Sequence, residues 1–142
     1  MVTVKGKTSQ KILVALDGSQ YSHRAFHYAC ELALNKELPL MIVNVIEEHA
    51  TVGHSIIREL ENTNKEILHK YQARAKLLGV ASVSTKQSKG NPAEEILKIA
   101  NSGNIDTIVV GSRGRYANSN AILLGSTSYK LAHYSKCTVI IV

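Results

Sequence analysis

Two hydrophobic rhythms alternate along the chain. Lys11-Ile-Leu-Val-Ala-Leu-Asp17 is a nearly unbroken apolar run, the pattern of a strand buried on both faces of a parallel sheet. Asp17-Gly18-Ser19 breaks that run. From about Ser22 to Asn35 the residues Ala25, Ala29, Leu32 and Ala33 recur on one face of a predicted helix. Pro39 opens a second strand, Leu40-Met-Ile-Val-Asn-Val-Ile46. Ile56, Leu60, Ile67, Tyr71, Ala75 and Leu78 then repeat at helical spacing until Gly79 stops the pattern. Val80 to Gln87 alternates and predicts a half-exposed edge strand. Asn91-Pro92-Ala93-Glu94 is a helix start in which Asn caps, Pro suits the first turn and Glu94 reaches back as in a capping box. Ala93, Ile96, Leu97 and Ala100 form the inner face of that helix. Ile105 to Val110 is a fourth strand, a helix spans about Leu123 to Tyr134, and Cys137 to Val142 is a fifth strand.

Strands that alternate with helices require right-handed crossovers. The chain is therefore α/β, with a mainly parallel sheet covered by helices on both faces. Its 142 residues fit one domain, 1–142, in which the polar residues 1–10 form a frayed arm. In such sheets ligands bind beyond the carboxyl ends of the strands, where the strand order reverses. Asp17 ends the first strand and Gly111 the fourth. If these strands are neighbours, both loops face one crevice.

The fourth strand runs into Val109-Val110-Gly111-Ser112-Arg113-Gly114, and after ten residues comes Gly125-Ser126-Thr127-Ser128. Glycines leave the backbone bare, so that N–H groups approach an anion closely. The Ser-Thr-Ser run sits where the positive end of a helix dipole faces a phosphate. Together they read as a phosphate cradle, although neither G-x-x-x-x-G-K-[ST] nor a G-x-G-x-x-G after a strand occurs. Each part also has a plainer reading. Asp17 suits a helix cap or turn, Gly111 and Gly114 suit a strand end, and the serines suit a cap on the last helix. Arg113 and Arg115 either reach phosphates with charge-assisted bonds or remain solvated loop cations.

Composition narrows the partners. The formal net charge is +6, which suits an anionic partner. The basic residues are scattered, aromatics make up only 5%, and there is no Trp, so nucleic acid is not expected. The apolar runs are too short for a membrane span and the first residues lack a signal-peptide core, so the expected compartment is the cytoplasm. Cys30 and Cys137 read as reduced, partly buried small hydrophobes. Of the six histidines, none forms a metal-ligand motif such as H-E-x-x-H, and His23 with His27 is a same-face pair on a helix. There is no nucleophile elbow and no pair of carboxylates in the cradle, so a dedicated enzyme is not supported and slow ATP hydrolysis is the most the residues offer. An adenylyl-transferring enzyme would need S-G-G-x-D-S or H-I-G-H, and a receiver domain an acidic end to the third strand, where Lys86-Gln-Ser-Lys89 stands.

Three motifs in order resemble the universal stress protein family over Ile12 to Val142. They are Ile-Leu-Val-Ala-Leu-Asp17-Gly18-Ser19 with Ser22 and Ala25; Gly90-Asn-Pro92-Ala93-Glu-Glu-Ile96 leading to Asp106-Thr-Ile-Val-Val-Gly111-Ser-Arg-Gly114; and Leu124-Gly125-Ser126-Thr-Ser128 before the closing strand. The resemblance implies an open five-stranded sheet of order 3-2-1-4-5, Rossmann-like, and a branch that holds ATP through G-x-x-G-x9-G-[S/T]. Carried over, it implies that Gly111, Gly114, Gly125 and Ser126 hold phosphates, with Thr127 and Ser128 close to phosphate and ribose. Ala15 and Asp17 would lie beside the adenosine and Val45 would touch adenine, while Val110 and Arg113 complete the nucleotide-binding set. Mg or Mn would accompany the ATP. The chain departs from the pattern by one extra residue between Gly114 and Gly125, in Arg115-Tyr-Ala-Asn-Ser-Asn120, where a loop absorbs an insertion. The alternative to an ATP-responsive stress module is a nucleotide-free dimeric interaction module of the same fold. In either form the uncharged edge Thr138-Val-Ile-Ile-Val142 is a pairing site, and the resemblance implies a homodimer through it.

Overall fold

The computed structural model describes residues 10–48, 51–114 and 124–142. The N-terminal arm, Arg115 and the loop expected to hold the extra residue lie outside the described residues. In chain order the elements are β1 (Lys11–Leu16), α1 (Gln20–Lys36), β2 (Leu40–Ile46), α2 (His54–Leu77), β3 (Val83–Lys89), α3 (Pro92–Ser102), β4 (Ile105–Val110), α4 (Ser126–Tyr134) and β5 (Thr138–Ile141). The strands form one parallel sheet in the order β3-β2-β1-β4-β5, as the resemblance implied.

β1 lies at the centre, paired with β2 from Ile12↔Leu40 to Leu16↔Asn44 and with β4 on its other side. Its side chains alternate between two cores. Ile12, Val14 and Leu16 enter the core beneath α1 and α2, where Phe26, Ala29, Leu40, Ile42 and Leu68 also lie. Leu13 enters the core beneath α3 and α4 with Val43, Ile96, Ile108 and Leu131, and Ala15 packs at its margin. Two buried faces explain why the strand reads as an apolar run rather than an alternation.

α1 starts two residues earlier than its apolar pattern. Ser19 is its N-cap, and its Oγ accepts from the Ser22 N–H at 3.1 Å. α3 begins with the expected cap, the Asn91 side chain accepting from Glu94 N–H at 3.1 Å and Pro92 in the first turn, but the Glu94 side chain does not complete a capping box. Glu95 makes that turn's acidic side-chain contacts, accepting from Ser88 Oγ at 2.5 Å and from Lys98 Nζ at 3.0 Å.

α2 corrects one expectation. Its buried residues are Ile57, Leu68 and Ala75, with Tyr71 packed beside them, whereas Ile56, Leu60, Ile67 and the following Leu78 are exposed. The apolar positions comprise two neighbouring stripes, and packing selects one of them. α2 rests on β2 and on the edge strand β3, and on that side Gln72 Nε2 donates to the Val83 carbonyl at 2.8 Å. β3 itself begins at Val83 rather than Val80 and pairs only with β2, so its edge position is as predicted.

β4 ends where α1 begins to cross it. A Cβ on Gly111 would stand 2.8 Å from both the Cβ and the carbonyl carbon of Tyr21 and 3.0 Å from the Ser22 nitrogen. The backbones are in contact there, so the glycine is required by packing whatever else it does. Gly111→Ala is expected to lower stability by about 1–3 kcal/mol, read as a fall in the urea midpoint; an unchanged midpoint would show that the first turn of α1 yields freely. Cys30 is 1% exposed, and burial, helped by the Glu31 charge, pushes its thiol up to about 11. Native protein treated with iodoacetamide at neutral pH should therefore be labelled at the half-buried Cys137, with Cys30 reacting only as urea unfolds the chain. Equal labelling rates would contradict this.

Candidate functional site

The strand order reverses between β1 and β4, so the crevice expected for a ligand opens beyond their carboxyl ends. The loops that follow them are Asp17-Gly18-Ser19 and Gly111-Ser112-Arg113-Gly114. Asp17 Oδ1 accepts from Ser19 N–H at 2.9 Å, and the Asp17 N–H donates to Ser22 Oγ at 3.3 Å. Gly18 makes the turn with φ +85°, a left-handed value that favours glycine. The other carboxylate oxygen, Oδ2, points across the crevice and lies 3.2 Å from where a Cβ on Gly114 would be. The turn reading of Asp17 holds through Oδ1, while Oδ2 is left facing Gly114.

The glycine loop is tied to α4 through one carbonyl. Ser112 O accepts from Gly125 N–H at 2.8 Å and from Ser128 Oγ at 3.0 Å. The Ser112 N–H donates to Val142 O at 2.8 Å, and Val142 N–H to Val110 O at 2.9 Å. These bonds bring Gly125 against the loop: a Cβ there would be 3.3 Å from Arg113 Cα and 3.6 Å from Gly114 N. Gly111, Gly114 and Gly125 therefore meet as the sequence reading expected, but for different reasons. Gly111 admits α1, whereas Gly114 and Gly125 keep the space between Asp17 and α4 free of side chains.

Gly125 is the N-cap of α4 and offers no side-chain cap, and the first turn carries no acidic residue. The N–H groups of that turn have no intrahelical acceptor. With the helix dipole they give the crevice a positive wall, and Ser126 and Thr127 stand on it, exposed and half-buried. Ser128 differs from its expected role. It is 2% exposed, and its hydroxyl donates to Ser112 O and Gly125 O, both at 3.0 Å. That hydroxyl fastens the Gly111–Gly114 loop to α4 rather than opening into the crevice.

Ala15 and Val45 are half-buried at the margin of the α3–α4 core, although Leu13 and Val43 before them are fully buried. Helical cover thins towards the carboxyl ends of β1 and β2 and leaves a small apolar shelf on the crevice side. The Val110 side chain is buried in the same core, so it borders the loop only through its main chain. Arg113 is half-buried, and its guanidinium carbon lies 6.0 Å from the centre of the Tyr21 ring, at the limit of a cation–π contact. Sequence reasoning assigned no role to Tyr21, to the Ser112 carbonyl, or to Ser22, whose buried hydroxyl donates to Ser19 O at 2.9 Å. Only Ser22, three residues after a capping Ser19, left a local signal.

Among the described residues no three His, Cys, Asp or Glu side chains form a group able to hold a metal ion, and no helix is long and apolar enough to cross a membrane. A cavity of about 450 Å³ between α2 and β3 is lined by residues including Leu68, Thr85 and Gln87 and by the Lys89–Glu61 ion pair. It lies at the sheet edge, away from the reversal of strand order.

The same pattern of loops and strands recurs in known proteins. Residues 8–142 match the model of the universal stress protein family. The universal stress protein YxiE of Bacillus subtilis is 35% identical over 93% of this chain and 97% of its own. The universal stress protein UspA of Lactobacillus plantarum superposes with a TM-score of 0.84 at 24% identity, over 94% of this chain and 97% of that one. A universal stress protein solved in complex with cAMP superposes with a TM-score of 0.75 at 25% identity, again over 94% and 97%. With its sheet in the order 3-2-1-4-5 and a family match over nearly its whole length, the chain belongs to the universal stress protein family.

Proposed function

We propose that this universal stress protein is a cytoplasmic ATP-binding regulatory module that works as a single domain. The observation that carries this reading is the junction of the Gly111–Gly114 loop with the uncapped N-terminus of α4 through the Ser112 carbonyl. It sets bare backbone and a positive helix end at the point where a parallel sheet takes its ligands. The cAMP complex of the similar protein supports an adenine nucleotide as the ligand class.

In this reading the N–H groups at Gly114, Ser126 and Thr127 receive phosphate oxygens, while Ala15 and Val45 supply an apolar rest for the base. Asp17 is an acceptor, and its negative charge suits a ribose hydroxyl or an adenine amino group better than a phosphate. It is also the carboxylate available to an accompanying Mg or Mn, which needs only one or two protein oxygens when phosphates and water supply the others. A single carboxylate without a paired base does not make a hydrolytic centre, so the reading is a binding module whose folded state ATP stabilises by mass action.

Calorimetric titration of ATP, AMP and cAMP should give saturable binding. Gly125→Val places a branched side chain between Arg113 and Ser112 and should weaken that binding by about tenfold or more, a loss of about 1.4 kcal/mol, with the circular dichroism spectrum unchanged. Gly125 is a better probe than Gly111, whose substitution also displaces α1. No heat at millimolar ATP in the unmodified chain would favour the nucleotide-free interaction module instead.

The homodimer rests on β5. Val142 turns its N–H and carbonyl towards β4 and the adjoining loop, so by alternation those of Val139 and Ile141 point away from the sheet. Their side chains and that of Ile140 are half-buried, which makes an uncharged edge suited to pairing with a twin. Val139→Pro removes one outward donor without removing a β4 bond. It should convert a sedimenting dimer to a monomer, and an unchanged dimer would move the interface elsewhere.

A further inference from the structure

On the face of the sheet opposite α4, α1 carries His23 and His27 one turn apart. Their Nε2 atoms lie 3.2 Å from each other. Two nitrogens that each sit about 2.0–2.1 Å from one metal ion in a tetrahedral arrangement are about 3.3 Å apart. That contact is a hydrogen bond between the two rings, and its length matches the nitrogen spacing that a shared metal ion would need once the bridging proton is displaced.

The surroundings fit the same use. His23 Nδ1 and the Tyr71 hydroxyl lie 2.9 Å apart. When Nδ1 donates to that hydroxyl, Nε2 carries the free lone pair that faces His27. Tyr71 is in turn held by Phe26, their ring centres 4.7 Å apart, within the α1–α2 core. A ligating histidine whose second nitrogen is fixed by a hydrogen bond is the usual supporting arrangement of a metal site. Both histidines are half-buried, so each keeps some exposure to solvent.

We propose that His23 and His27 form a two-imidazole site for a borderline first-row dication, Cu²⁺ or Zn²⁺, with water in the remaining positions. Imidazole pairs select these ions over Mg²⁺ and Ca²⁺, which prefer oxygen. His27 then keeps its single ring proton on Nδ1 instead of Nε2. That tautomer change exchanges through solvent and leaves the proton count unchanged. Through Tyr71 the bound ion stiffens the contact of α1 with α2, a role separate from nucleotide binding.

The test uses the untagged full chain and each metal chloride alone in a non-coordinating buffer. Calorimetry should find one saturable site per chain. His23→Gln and His27→Gln should each lower its affinity by about tenfold or more, and Tyr71→Phe, which leaves both ligands, by about tenfold. Zn²⁺ should raise the melting temperature of the unmodified chain and leave that of the double variant H23Q/H27Q unmoved. Should a variant fail to fold, substoichiometric Cu²⁺ on the unmodified chain decides the matter by NMR. The ring protons of His23 and His27 should broaden before those of His49, His54, His69 and His133. Binding undiminished in the double variant, broadening spread equally over all the histidines, or no saturable binding of either ion up to about 100 μM would each overturn the proposal.

Discussion

The main chain of Ser112 holds three distant parts of the protein in one place. Its carbonyl accepts from Gly125 and Ser128 at the start of α4, and its N–H donates to the last residue, Val142. Without these bonds the loop after β4, the N-terminus of α4 and the end of β5 would be separate surface features. With them, a helix end without its own cap is fixed beside a loop of bare backbone. The first turn of α4 carries no side-chain cap, so its N–H groups have no acceptor within the helix.

The rigidity of that crevice comes from the sheet behind it. β1 is buried on both faces and paired on both edges, so the Asp17 turn and the Gly111 loop leave neighbouring strands of one sheet. The first turn of α1 presses on Gly111 and couples the two loops from the other side. The Ser19–Ser22 hydroxyl pair serves this contact as much as it serves the helix cap. The crevice thus lies at the carboxyl edge of the sheet, while the face covered by α1 and α2 carries the His23–His27–Tyr71 chain of hydrogen-bonded rings.

Much of this was legible along the chain, for identifiable reasons. β2 and β4 coincide with their apolar runs, because strands buried on both faces need no partner information to be recognised. The Asn91-Pro92 start of α3 is equally local, since a cap and a ring-fixed φ act within a few residues. α2 was not readable at the same level. Its apolar residues occupy two adjacent stripes, and only the positions of β2 and β3 beneath it decided that Ile57, Leu68 and Ala75 would be buried while Ile56, Leu60 and Ile67 stayed exposed.

The candidate site divides along the same line. The residue types were determined by the sequence alone: glycines at 111, 114 and 125, the hydroxyls behind Gly125, and an acid at the end of the first strand. Their signal is local, because each acts through backbone freedom or a helix end. Tertiary structure decided what each one does. It turned the Ser128 hydroxyl inward to Ser112, made Gly111 a packing contact for Tyr21, and set the Nε2 atoms of His23 and His27 3.2 Å apart beside Tyr71. Those outcomes depend on which element crosses above a residue and at what distance, and spacing along the chain carries no such information.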